Sequence, residues 1–523
     1  MDTKALRQKV LDLAIRGKLV PQDPNDEPAS VLLERIRQQK QQMVEEGKLK
    51  AKDIKNDTII FVGEDNLHYE KFADGCVKCI EDEIPYDLPE GWVWARLGSV
   101  AEAIGDGDHQ PPPQTSFGVP FLVISNVSSG QLSFENTRFV SEEYFSQLPE
   151  TRKPRNGDLL FTVTGSYGIP VLVDTDDKFC FQRHIAIVRP CNISNRYLYV
   201  VLGSSYVKSI CDTKATGTAQ KTVGLATLRE LLIPVAPYKE QMQIYTQTQD
   251  ALSIVDSISS DKADLLNIIE NTKAKILDLA IRGKLVPQNP DDEPASVLLE
   301  RIRGEKEDRI RQGKIKRDKK ESVIFRGDDN SYYLRTGELV ESLEGWAFED
   351  LPDSWSMCCL GELCDYGNCT NVDTADIADS AWMLDLEDIE KDSGVVLKKV
   401  RKAERNAAST KHRFHKGQVL YSKLRPYLNK VVLADEDGYC TSEILPLEFE
   451  RNILPQYARY YLMSPAFLRY ANKCSYGVKM PRLGTADGKK AIISIPPFEE
   501  QKRIVLAIEL AFAQLVFIAE SLA

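Results

Sequence analysis

The stretch Leu277-Asp-Leu-Ala-Ile-Arg-Gly-Lys-Leu-Val-Pro-Gln288 repeats, residue for residue, the twelve residues from Leu11 to Gln22. The match continues through Asp26-Glu-Pro-Ala-Ser-Val-Leu-Leu-Glu-Arg-Ile-Arg37 and its copy at Asp292 to Arg303, so that between Leu11 and Arg37 only Asp23/Asn289 and Asn25/Asp291 differ. Near-identity over this length at one fixed register means two copies of one large unit. Whatever the chain does must therefore be asked of two modules.

At 523 residues, 42% hydrophobic and 28% charged, the chain is too long for one core, and about three or four domains are expected. No run of about 18 apolar residues stands out, and Met1-Asp-Thr-Lys-Ala-Leu-Arg7 lacks the pattern of a secretory signal. The reading is a cytoplasmic protein with no membrane partner. The eleven cysteines show no regular framework, which favours reduced thiols over disulfides. A net charge of −11 argues against a chain coated in nucleic acid but leaves local faces open.

Thr3 to Arg16 predicts a helix, with Leu6, Val10 and Leu13 at three-and-four spacing and Gly17 at its end. Pro21 and Pro24 mark a turn, and Asp26-Glu-Pro-Ala-Ser30 opens a second helix that carries Val31, Leu32, Leu33 and Ile36 towards Gly47. From Ile59 to Trp94 short extended pieces, broken by Gly63, Gly75, Pro85 and Pro89, read as a linking arm. Leu88-Pro-Glu-Gly-Trp92 recurs as Leu351-Pro-Asp-Ser-Trp355, so each arm ends at the same kind of domain entry.

Beyond each entry come apolar runs of strand length: 120–124, 158–162, 170–174 and 184–188 in the first insert, 418–421, 430–433 and 444–447 in the second. Helices are predicted near 196–207, 227–232 and 455–462. Both inserts read as mixed α/β (α+β) domains, and the repeats are near-identical while the inserts diverge. The expected organisation is an N-terminal helical region 1–47, an arm 48–94, an α/β domain 95–237, a central helical region 238–312, an arm 313–357, a second α/β domain 358–496 and a closing helix 497–523.

In the central helix, expected from Lys239 to Arg282, the seam Ala251, Val255, Ile258, Leu265, Ile269, Ile276 and Leu279 follows a heptad, with Lys262 and Thr272 as exceptions. The pattern returns as Ile504, Ile508, Ala511, Leu515, Ile518 and Leu522, where the chain stops, while Val10 and Leu13 match Ile276 and Leu279. The repeat is thus cyclic and pseudo-twofold, cut once by the termini. It predicts two long antiparallel coiled-coil stalks, one continuous and one assembled from both chain ends, with Met1 and Ala523 close together.

Two variable α/β domains alternating with near-identical helical repeats, and a closing turn Pro496-Pro-Phe-Glu-Glu-Gln501, resemble the specificity subunit of a type I restriction-modification enzyme over essentially the whole chain. The segments that carry the likeness are Gly157-Asp-Leu-Leu-Phe-Thr-Val-Thr-Gly-Ser166, Gly217-Thr-Ala-Gln-Lys221, Tyr421-Ser-Lys-Leu-Arg-Pro-Tyr427, Thr441-Ser-Glu443 and Met480-Pro-Arg-Leu483. The resemblance implies two target recognition domains, each reading half of an asymmetric bipartite site in double-stranded DNA. It also implies helices that set the spacing and dock two modification and two restriction/translocase subunits. S-adenosylmethionine, ATP and Mg²⁺ would then sit on those partners, and this chain would bind no cofactor.

The residues offer little chemistry of their own. Ile495-Pro-Pro-Phe498 has an isoleucine where an amino-methyltransferase needs a polar acceptor for the target amine. Gly217-Thr-Ala-Gln-Lys-Thr222 has Gln220 where a phosphate loop requires glycine. Cys76-Val-Lys-Cys79 is a metal-like pair with no second pair. Cys358, Cys359, Cys364 and Cys369 read as core and loop thiols, and His412 and His415 lack evident co-ligands. No catalytic residue and no metal ligand is assigned.

DNA contacts are expected at strand ends, where side chains can pair with base edges. In the first domain the candidates are Thr162, Thr164 and Ser166, then Gln182, Arg183 and His184, then Thr218, Gln220 and Lys221. In the second they are Lys423, Arg425 and Tyr427, with Ser442 and Glu443 (and Thr441) as acceptors and Lys479 and Arg482 flanking. Lys398, Lys399, Arg401, Lys402, Arg405, Lys411, Arg413 and Lys416, opposed along the sequence only by Glu404, suggest a phosphate-binding face; a solvated lysine-rich loop is the alternative. A central helix of this length would span roughly 65 Å at about 1.5 Å per residue, against ~34 to 36 Å per DNA turn. Competing functions are a coiled-coil scaffold whose domains bind protein or carbohydrate, and a specificity subunit serving a methylation-only system.

Overall fold

The structure is a computed structural model that describes all residues except 1, 110–111, 219, 316–321, 330, 344–349, 406–408 and 523. Both chain-terminal residues therefore lie outside the described set. The chain divides into two compact units, Met1–Asp261 and Lys262–Ala523, and the boundary falls inside the helix Tyr238–Ile281.

The first unit opens with the helices Thr3–Ile15 and Ala29–Glu45. Asp2 caps the first, its carboxylate accepting from the N–H groups of Lys4 and Ala5. The arm is a three-stranded antiparallel meander, Ile59–Val62, His68–Lys71 and Val77–Cys79. Val93–Arg96 pairs antiparallel with Leu232–Val235, so the strands that enter and leave the α/β domain lie side by side. Between them a four-stranded sheet runs in the order Ala101–Asp106, Ile185–Pro190, Leu159–Thr162, Pro170–Leu172. Its two inner strands, Ile185–Pro190 and Leu159–Thr162, are apolar almost throughout because both faces are covered. A second sheet joins Cys180–Phe181 parallel to Val119–Leu122, which pairs with Arg138–Val140.

The helix expected at 196–207 is two, Asn195–Leu202 and Ser205–Lys214. Gly203 stops the first, and Ser204 caps the second by accepting from Val207 N–H. The 227–232 helix is shifted to Leu225–Glu230, because Leu232 already belongs to the exit strand.

The second unit repeats the plan. Helix Ala295–Arg311 is followed by the meander Ser322–Arg326, Tyr332–Thr336, Leu339–Ser342. Entry strand Ser356–Cys359 pairs with exit strand Ile492–Ile495. A three-stranded sheet places Val419–Ser422 between Val431–Leu433 and Ile444–Leu447, and a five-stranded sheet surrounds Gly438–Thr441. Helices Pro455–Met463 and Pro465–Cys474 again meet at a capping serine, Ser464.

The identity of the repeated segment has its physical reason at one joint per unit. Gly17 has φ +63°, the left-handed C′ position that ends a helix, and a Cβ there would lie 2.4 Å from Pro89. The Trp92 indole donates to Glu240 at 2.9 Å, and Gln22 donates to Glu240 at 3.2 Å and to the Gly17 carbonyl at 2.6 Å. In the second unit Gly283 has φ +67° and a Cβ would meet Pro352 at 2.5 Å, while Trp355 and Gln288 donate to Glu500 at 3.1 and 2.7 Å. One loop thus locks the domain entry to the helix that leaves the domain.

Two sequence expectations are corrected. The most buried face of the first helix is Leu11, Ala14 and Ile15, and its copy is Leu277, Ala280 and Ile281. Leu6, Val10 and Leu13, with Ile276 and Leu279, are only half-buried. Leu265 is exposed, whereas Val255 and Ile269 on the same seam are buried. The face rotates because these turns pack into the core of an α/β domain, beside Tyr197 and Leu198 in the first unit and Tyr457 and Tyr461 in the second. The antiparallel pairing does appear within the first unit, where Arg7 pairs with Asp256 and Gln22 with Glu240. Second, Phe498–Leu522 is long and apolar enough to cross a membrane by length and composition, where the sequence reading finds no such run. Its first turns, with Glu500, Gln501, Ile504 and Ile508, are buried in the second unit.

Candidate nucleic-acid interface

In each domain three separate sequence segments are laced together by backbone hydrogen bonds at the end of an inner strand. In the first, Val163 N–H donates to the His184 carbonyl (2.9 Å), Gly165 N–H to Lys221 (3.1 Å) and Val223 N–H to Val163 (2.8 Å). In the second, Lys423 N–H donates to Glu443 (3.0 Å), Arg425 N–H to Pro481 (2.7 Å) and Leu483 N–H to Lys423 (3.0 Å). The same ladder therefore gathers the expected residues: 162–166 with 182–184 and 218–221, and 423–427 with 442–443 and 479–482. Sequence adjacency could not give this; the strand-end polar clusters were its only signal.

Within the ladder the side chains divide into those already committed and those available. Thr162 and Thr164 are corrections. Thr162 is buried and its hydroxyl accepts from Ile169 N–H at 2.9 Å, while Thr164 shares a 3.1 Å hydrogen bond with Thr222. Both brace the loop rather than face a ligand. Ser166, Arg183, Thr218, Gln220 and Lys221 are exposed, and Gln182 and His184 are half-buried. Burial, with Arg183 beside it, holds the His184 imidazole below its usual pKa. Gly217, at φ +112°, has no room for a side chain, since a Cβ would meet the Gln220 carbonyl at 2.3 Å. Ala219 lies outside the described residues.

In the second domain Glu443 is committed to Arg482, whose Nε and Nη2 donate to its oxygens at 2.9 to 3.2 Å. The expectation of Glu443 as a free acceptor is corrected accordingly. Lys479, Ser442 and Tyr427 are exposed and Lys423 is half-buried. Arg425 sits at φ +49°, left-handed for a residue with a side chain, and its Nε is buried with no hydrogen-bond partner among the described residues. Such strain, of order 1–3 kcal/mol, clusters at ligand sites.

The basic stretch is the largest correction. Lys399 pairs with Asp435 (2.7 Å) and Glu436 (3.4 Å), Arg401 with Glu436 (2.5 Å), and Lys402 with Asp379 (3.3 Å). Arg405 pairs with Asp385 (2.6 Å) and Asp388 (2.7 Å), and the buried Lys411 faces Asp385 (3.7 Å). The cations hold Asp435 and Glu436 below the usual carboxylate range. These five positive charges are neutralised by acids remote in sequence; Lys398, Arg413 and Lys416 remain exposed.

Sequence reasoning missed the segment Asp106–His109, which lies against the Gln182–His184 turn: Asp108 bridges Gln182, and Arg183 N–H donates to the Asp108 carbonyl at 3.1 Å. The closely spaced glycines of Gly105-Asp-Gly-Asp-His109 were the available signal. The remaining histidine and cysteine motifs divide between core and surface, with Cys76 and Cys79 exposed. His412 is buried with Nδ1 2.8 Å from the Ile444 carbonyl, and His415 lies beside Asp437. All eleven cysteines are free thiols, and burial pushes Cys359 up to about 12. Among the described residues no group of three or more His, Cys, Asp or Glu could hold a metal ion.

The EcoAI specificity subunit of the type I restriction enzyme of Escherichia coli is 29% identical over 405 residues, 66% of this chain and 64% of that protein. The EcoEI specificity subunit of Escherichia coli is 26% identical over 413 residues, 69% and 61% of the two chains. The matches thus span somewhat less than two thirds of these relatives. A chain in a solved structure concerned with assembly and conformational transition of the type I R-M system is similar over 84% of this chain and 94% of its own, at 17% identity and a TM-score of 0.49. The model for the type I restriction modification DNA specificity domain matches residues 89–270 and 352–513, which span both laced sites, and the chain belongs to that family.

Proposed function

We propose that the chain is the non-catalytic specificity subunit of a type I restriction-modification complex, working in the cytoplasm. Each α/β domain reads one half of an asymmetric bipartite site in double-stranded DNA. The observation that carries this is the shared backbone ladder: it presents polar side chains at the same place in both domains, yet the side chains differ. A common frame with different donors and acceptors is what two half-sites of different sequence require. The helical repeats set the half-site spacing and dock two modification and two restriction/translocase subunits, on which S-adenosylmethionine, ATP and Mg²⁺ are held.

Site selection from randomised DNA, with the full-length chain assembled with modification subunits, tests the reading. Lys423→Ala combined with Lys479→Ala spares the Glu443–Arg482 pair and should erase preference at one half-site only. Unchanged preference at both halves, or equal loss at both, would refute the division of labour. The chain freed of its partners should transfer no methyl group and cut no DNA.

A further inference from the structure

The first domain carries a histidine at the laced site that no strand-end pattern marks. Gly107 admits no side chain, since a Cβ would lie 2.0 Å from the Phe181 carbonyl oxygen and 2.6 Å from the Gln182 carbonyl group. Its neighbour Asp108 is held from inside. Asp108 N–H donates to Phe181 (3.1 Å), and its carboxylate accepts from Tyr144 (2.5 Å) and Arg152 (2.9 Å) with only 9% of its side chain exposed. These contacts hold Gly107 and Asp108 against the Gln182–His184 turn.

His109, the next residue, points outward. Its side chain is 58% exposed, and Nε2 lies 2.9 Å from the Asp106 carboxylate. With Nε2–H donating to that carboxylate, Nδ1 is the ring nitrogen left to accept. We propose that His109, oriented by Asp106, is a specificity-determining residue that accepts a hydrogen bond from the exocyclic amino group of an adenine or cytosine in the major groove. Arg183, exposed on the adjoining turn, supplies the neighbouring donor, to a guanine edge or a phosphate. The corresponding stretch after the entry of the second domain, Cys364 to Asn371, contains no histidine, so the effect belongs to one half-site. This inference rests on the proposed reading of DNA by both domains.

The experiment is site selection from randomised DNA by the assembled complex carrying wild type, His109→Ala or His109→Asn. The expected result is about a tenfold loss of discrimination at one base pair of the first domain's half-site, with the other half-site and the spacing retained. His109 is exposed, so neither substitution removes core packing, and retained reading of the second half-site reports a folded complex. A wild-type bipartite preference that both variants reproduce overturns the inference alone, as does a loss of affinity uniform across sequences, which marks a phosphate contact. A wild type that selects no site overturns the functional reading and the inference together.

Discussion

Replacing Gly17 by alanine tests the joint that explains the repeat. The backbone there is left-handed, at φ +63°, which costs a residue with a Cβ about 1–2 kcal/mol. The new methyl would also stand 2.4 Å from Pro89 Cγ and 3.2 Å from the Trp92 ring, and forcing a carbon into such a contact costs about 1–3 kcal/mol. Together Gly17→Ala should weaken the first unit's hairpin by about 2–5 kcal/mol. Gly47 provides the control: its φ is +71° with nothing within 4 Å of a Cβ, so Gly47→Ala carries the backbone cost alone. Hydrogen exchange on the full chain can follow peptides from Ala29–Glu45 and from Ala295–Arg311 separately, at tenfold in protection per ~1.4 kcal/mol. Gly17→Ala should speed exchange in the first set and spare the second, and Gly283→Ala should do the reverse. Equal effects of Gly17→Ala and Gly47→Ala would refute the steric argument. Loss of protection spread evenly over both units would refute the assignment of one joint to each.

Glu500 is buried, Trp355 and Gln288 both donate to its Oε1, and its Oε2 has no hydrogen-bond partner among the described residues. Burial raises its pKa above 4.5, so the native state holds this proton where the unfolded chain has lost it, and stability falls as pH rises from 4.5 through the native value. Glu500→Gln keeps an oxygen for both donors and removes the charge. Its urea midpoint relative to wild type should therefore climb between pH 4.5 and 7.5, and a difference independent of pH would refute the linkage. Arg405→Ala strands Asp388, which is 5% exposed, and should cost about 3–5 kcal/mol while leaving the salt dependence of DNA binding unchanged. Arg413→Ala with Lys416→Ala should instead lower that dependence by up to about 0.9 per lost phosphate contact, read from affinity against salt concentration. A shallower slope for Arg405→Ala would restore the basic stretch as a DNA face.

What the sequence made legible was local or repeated. The joint could be located because Gly17, Gln22 and their copies are identical, and the strands at 159–162, 185–190 and 444–447 announced themselves as apolar runs. The failures share one cause, that a side chain's partner can be far away in the chain. Thr162 looked available until Ile169 N–H claimed its hydroxyl, and Glu443 until Arg482 did. Lys399 and Arg401 read as a positive face because Asp435 and Glu436 stand more than thirty residues on. The heptad spacing gave the right helices but the wrong face near Leu11 and Leu277, because a seam rule assumes a single helical partner and these turns pack into domain cores.

The divergence of the two domains acquires a physical meaning from the ladder. A backbone hydrogen bond constrains φ and ψ and is indifferent to the side chain, apart from positions such as Gly217 and Gly477 that lie at φ +112° and +102°. The frame can therefore persist while its side chains change: Thr164 faces Thr222 across one domain's bridge, and Leu424 faces Arg482 across the other's. The joint has no such tolerance. Its contacts run through side chains, Trp92 to Glu240 and Trp355 to Glu500, and a change at either end loses the bond. A chain held by side chains in one part and by backbone in the other should therefore keep near-identical joints and let its domains diverge. New side chains on the ladder can change what is read without disturbing how the domain is held.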